Sequence, residues 1–174
     1  PQATLIFDEF SVETTESAAV TSVLAQTNVN YDTYADAIQA SIAGGSGSKV
    51  NNTFGPTANI EWQGTSSLTT AGVITVLANN TLERVPDPND AKISKNNVYE
   101  SYNTVRGGSG GVVEGSGASA VTQYDGTAKI NMGMESTDTA QIISNSESPS
   151  NVSVLATQQI KSQDFVTQDV GGVV

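Results

Sequence analysis

The chain has 174 residues, 37% hydrophobic and 14% charged, with a formal net charge of −11 and neither Cys nor His. That length suits one domain with a sizeable core. The missing Cys and His exclude disulfides, thiolate nucleophiles, Cys or His metal ligands and a Ser-His-Asp triad, so only carboxylate, Lys or Tyr chemistry stays open.

The seven basic residues are scattered, and residues 1–48 hold none. Phosphate recognition needs clustered cations, so neither direct nucleic-acid binding nor adhesion to an anionic membrane is expected. No apolar run approaches the ~20 residues of a membrane-spanning helix, and no cofactor motif is present. Ser, Thr, Asn and Gln exceed a third of the chain, which favours turns and strand faces over long helices.

In chain order, Pro1 is a residue readily left by removal of an initiator Met and disfavoured after signal-peptidase cleavage, so synthesis inside a cell is expected. The segment ATLIFDEFSVE alternates imperfectly, with Leu5 and Phe7 on one face and Ile6 and Phe10 on the other. A terminal strand apolar on both faces inserts in its own sheet or docks on a neighbour. Leu5, Ile6, Phe7 and Phe10 are therefore the expected subunit interface.

Residues 15–27 carry Ala19, Val20, Val23, Leu24 and Thr27 at helical spacing behind a Thr cap. Residues 32–43 carry Tyr34, Ala35, Ile38 and Ile42 behind Asp32, with Gly44 and Gly45 as the stop. Two short helices are predicted there. Residues 44–56 read as a loop. Ala58, Ile60 and Trp62 alternate with polar residues, and GVITVLA is β-branched, so strands follow.

The stretch EWQGTSSLTTAGVITV resembles a shell-domain strand pair of small viral jelly-roll coats over its 16 residues. That resemblance implies an antiparallel shell domain. VPDPNDAK places Asp87, Asn89 and Asp90 in a stiff turn that offers oxygen ligands for Ca²⁺, although it lacks the twelve-residue loop and terminal Glu, and an Asx-turn explains it as well. GGSGG at 107–111 is not followed by Gly-Lys-Ser/Thr and reads as a flexible or close-packing loop. Asp125-Gly126 between two alternating runs signals a hairpin. Strands are predicted at 139–144 and 151–157. Asn51, Asn79 and Asn151 open Asn-x-Ser/Thr triplets, acceptors for glycans in a secreted protein. No internal repeat is read.

The expected fold is thus mainly β: an antiparallel, jelly-roll-like β-sandwich with one or two short helices near the front (about 15–27 and 32–43). Residues 1–13 form a strand or arm, 14–170 a single sandwich domain and 171–174 a tail. The expected function is a non-enzymatic structural assembly subunit, foremost a virion capsid or coat protein. Its partners are copies of itself or another structural subunit. RNA-packaging coats carry a basic arm and this N-terminal region is acidic, so genome neutralisation would come from elsewhere. The alternatives are an extracellular, pilus-like filament subunit built by N-terminal strand donation, and a carbohydrate-binding β-domain, which the low aromatic content (6%) disfavours.

Overall fold

The structure is a computed structural model that describes residues 1–14, 20–40, 42–85, 102–111, 113–133, 135–144 and 152–172. Among these there is no helix. The strands, in chain order, are β1 (Gln2–Asp8), β2 (Ser11–Thr14), β3 (Val20–Tyr31), β4 (Tyr34–Ala40), β5 (Ala43–Phe54), β6 (Thr57–Gln63), β7 (Thr65–Thr70) and β8 (Val73–Arg84). Then follow β9 (Tyr102–Gly111), β10 (Val113–Tyr124), β11 (Thr127–Met132), β12 (Thr139–Ser144), β13 (Val152–Lys161) and β14 (Gln163–Gly172).

Sheet order reveals a period of five strands: β1-β6-β11, β2-β7-β12, β3-β8-β13, β4-β9-β14 and β5-β10. All sheets are parallel. This corrects the antiparallel sandwich. Each strand finds its partner one full circuit later, not across a tight turn. Asp125-Gly126 joins β10 to β11, which lie in different sheets, so it is a corner and not a hairpin. EWQGTSSLTTAGVITV likewise runs from β6 through β7 into β8, three strands of three different sheets, so the likeness to a shell-domain pair fails.

The helical expectations are also corrected. Of residues 15–27, those from Val20 on belong to β3, and 15–19 lie outside the described residues. In β3 Val23, Ala25 and Thr27 are buried while Ser22, Leu24, Gln26 and Asn28 are exposed, a strict period of two. Residues 34–40 are β4, laid in register along β9. Pairing to a neighbouring strand outweighs weak helical propensity.

The chain divides into two compact units: residues 1–29, 55–81 and 126–159, and residues 30–54, 82–125 and 160–174. In the first unit three rungs stack: β1-β2-β3, β6-β7-β8 and β11-β12-β13. Like residues fall in columns. Ala3, Ala58 and Ala128 form one; Leu5, Ile60 and Ile130 a second; Phe7, Trp62 and Met132 a third. Val12, Leu68 and Ile142 continue the pattern on the next face. Past the exposed first residues Thr65 and Val73, the middle-rung strands alternate buried with half-buried residues, because they are covered above and below. Ile60, Trp62, Ile74 and Val76 are fully buried, each worth about 1.5–3 kcal/mol.

Buried polar groups tie the rungs at the corners. Asn80, fully buried, donates from Nδ2 to the Pro56 carbonyl (3.1 Å) and to that of Thr127, and accepts from Thr27 Oγ1. It therefore holds the starts of β6 and β11 in place. A second device recurs where the chain leaves β1, β6 and β11: Glu9, Gly64 and Gly133 have φ of 47°, 59° and 72°.

In the second unit β4-β9-β14 and β5-β10 pack through glycine. A Cβ built on Gly107 of β9 would lie 2.7 Å from the Gly117 carbonyl oxygen of β10, closer than van der Waals contact permits. The Gly-Ser runs at 44–48 and 107–111, expected as loops, are thus strands whose bare backbones let two sheets approach closely. Arg84, fully buried, donates from Nε to Asp32 Oδ1 (2.8 Å) and from Nη2 to the Thr33 carbonyl (3.1 Å).

Candidate assembly edges

In the first unit the outer rungs, β1-β2-β3 and β11-β12-β13, end the sheets. Each of their strands has a single strand neighbour among the described residues. An edge strand presents a row of N–H and C=O groups ready to pair with another chain.

The side to which each group points can be read from the corner bonds. Thr57 N–H donates to the Pro1 carbonyl (3.1 Å), and Thr127 N–H to that of Pro56 (2.9 Å). Backbone groups alternate sides along a strand. Ala3, Leu5 and Phe7 therefore bond towards β6, whereas Thr4 and Ile6 aim theirs at the open edge. On the opposite edge Lys129 and Asn131 bond towards β6, and Ala128 and Ile130 aim outward.

The two ends differ in cover. Thr27 bonds to Asn80 and Thr157 to Asn79 (2.9 Å), which aligns Val23, Val76 and Val154 in one column and Ala25, Ala78 and Ala156 in another. Val23 is 9% exposed but Val154 45%, with Met132 at 39%. In the third rung Met132, Val154 and Ala156 stay exposed, while Ala128, Ile130 and Ile142 are half-buried. Native folds cover such apolar side chains or use them.

The four expected interface residues separate. Leu5 and Phe7 face inward on the core cluster; Phe7 stacks on Trp62 (4.9 Å between centroids) and Phe10 tilts against Phe7 (4.8 Å). Ile6 faces out and is 55% exposed. The candidate Ca²⁺ residues Asp87, Asn89 and Asp90 lie outside the described residues, and among the described ones no three Asp or Glu side chains are gathered to hold a metal ion. Asn51 lies in β5 and is exposed; Asn79 lies in β8, half-buried and bonded to Thr157; Asn151 is outside the described residues.

Sequence reasoning missed the tail edge formed by β11 and β13. A signal was present: Ser22-Val23-Leu24-Ala25, Thr75-Val76-Leu77-Ala78 and Ser153-Val154-Leu155-Ala156 are near-copies, each starting the same stretch of the same sheet. No family model, curated protein or solved structure matches the chain.

Proposed function

We propose that this chain is a non-catalytic structural subunit that assembles with copies of itself. The observation that supports it is the pair of open parallel edges at the two ends of a stack whose columns are like on like. Parallel in-register stacking of Ala, Val, Leu and short polar side chains is the geometry by which extended assemblies pair backbone along their whole length. Among the described residues the sheets are parallel, in place of the antiparallel sandwich that suggested a closed shell, and a stack with two different ends suits an open fibre. Both expected locations, the virion and an extracellular filament, stay within this reading, as a surface fibre serves either.

The test is analytical ultracentrifugation of the full chain over a concentration series, with electron microscopy of the same samples. Growing oligomers or filaments are expected. A single monomeric species at every concentration overturns the proposal. Immunogold labelling of source material then separates virion from cell surface.

A further inference from the structure

Resting on that assembly reading, we infer that the joint is head-to-tail: the third rung of one copy receives the first rung of the next, β11 against β1, β12 against β2 and β13 against β3, parallel and in register.

Three observations converge. The first is column chemistry. Continuing each column past the third rung places Ala3 of the next copy on Ala128, Leu5 on Ile130, and Val23 on Val154, the same pairings already made inside the chain between Ala3 and Ala58, Leu5 and Ile60, and Val23 and Val76. The half-buried Ala128 and Ile130 and the exposed Val154 are thereby covered by a layer of matching size.

The second is backbone parity. In this register the N–H of Thr4 meets the carbonyl of Ala128, and that of Ile6 meets the carbonyl of Ile130. These are the groups that the corner bonds leave aimed at the open edges. A slip of one residue would set Thr4 level with Ala128, leave the outward groups of both without complementary partners because Ala3 and Leu5 bond towards β6, and put every side chain on the other face.

The third is charge and direction. Residues 1–29 hold Asp8, Glu9, Glu13 and Glu16 and no cation, so a head-to-head joint faces carboxylates with carboxylates. Head-to-tail pairing sets those four carboxylates against residues 126–159, which hold Lys129 beside Glu135, Asp138 and Glu147, so fewer like charges meet than in a head-to-head joint. A two-fold joint of either kind also reverses the circulation of the chain, so the strands meet antiparallel and the columns cannot continue. A head-to-tail joint uses different surfaces on the two partners and does not close a dimer, so it propagates.

The experiment uses full-length chains. Ile6→Pro removes an N–H aimed at the open head edge and leaves the bonds of Leu5 and Phe7 to β6 in place. Val154→Asp places a charge on a side chain that is exposed in the single chain and enclosed in the joint. Each variant alone is expected to sediment as one chain, with the circular dichroism of the parent. Mixed, they are expected to form a 1:1 dimer and nothing larger, through the intact tail of the first and the intact head of the second. Thr4→Pro serves as a second head-blocked chain should Ile6→Pro misfold.

The inference is overturned if the parent assembles and either blocked chain still forms long assemblies. It is equally overturned if one blocked chain alone forms a two-fold dimer, or if the mixture stays monomeric. A parent that never assembles overturns the assembly reading itself, which is a different result.

Discussion

Arg84 and Asp32 allow a sharp test of what holds the second unit together. The guanidinium is fully buried, its Nη2 lies 2.7 Å from Asp32 Oδ1, and its Nη1 has no hydrogen-bond partner, whereas the Asp32 side chain keeps 26% exposure. Removing one member of a buried pair leaves an uncompensated charge and costs about 3–5 kcal/mol. Partial exposure of Asp32 puts Asp32→Ala at the lower end, near 3 kcal/mol, or roughly 6–12 °C in Tm for a chain of this size. Arg84→Met keeps the apolar stem, removes the buried charge together with its unpaired Nη1, and leaves a carboxylate that water reaches; a loss of about 1 kcal/mol is expected. The double variant should be more stable than Asp32→Ala alone, by at least ~1 kcal/mol, because the orphaned charge has gone. Urea unfolding followed by far-UV circular dichroism reads all three. Additive losses, or an Asp32→Ala loss below about 1 kcal/mol, would refute the reasoning.

Three further outcomes are expected. Gly107→Ala drives a Cβ to 2.7 Å from the Gly117 carbonyl, and since backbone must move, a loss of about 2 kcal/mol or more in the urea midpoint analysis is expected; Gly115→Ala, whose Cβ meets nothing within 4 Å, is the control that should lose under about 1 kcal/mol. At the corners, Gly64→Ala at φ 59° should lose about 1–2 kcal/mol, while Glu9→Asn, at φ 47° in the equivalent place, should leave stability equal or raise it by up to ~1 kcal/mol; thermal melts decide, and a loss for Glu9→Asn would count against the corner assignment. Asn80→Leu strips two corner carbonyls of their donor and should cost about 2–4 kcal/mol, read by the fluorescence of Trp62, the sole Trp, and an unchanged midpoint would mean water replaces Asn80 there.

Alternation alone made β6 readable, since Ala58, Ile60 and Trp62 face a core and Asn59 and Glu61 do not. It also made β12 readable, predicted and found at Thr139–Ser144. Direction was not readable, because a period of two is the same in parallel and antiparallel sheets. What distinguishes them is the partner, and the partners are far away at unequal steps: 53 residues from Thr27 to Asn80, 56 from Ser11 to Ser67, 70 from Asn52 to Thr122 and 78 from Asn79 to Thr157. A repeat with drifting spacing escapes a search for a fixed period, although the three Ser/Thr-Val-Leu-Ala quartets mark it. Gly44 to Gly47 and Gly107 to Gly111 looked like loops because glycine is read as a turn former; here its lack of a side chain serves sheet approach. For the candidate site, the apolar character of the opening segment was legible in Leu5, Ile6, Phe7 and Phe10, but not which of them turn inward, since that depends on Trp62.

Partners one circuit apart also impose an order on biosynthesis. Phe7 leaves the ribosome 55 residues ahead of Trp62, its neighbour in register. At ~5–20 residues per second the nascent β1 strand waits roughly 3–11 seconds for the strand that shelters it. During that interval its apolar side chains are open to chaperones, and to the same segment on adjacent polysomal chains. Once β6 arrives, every later strand is laid on a template already made, so growth of the fold is directional.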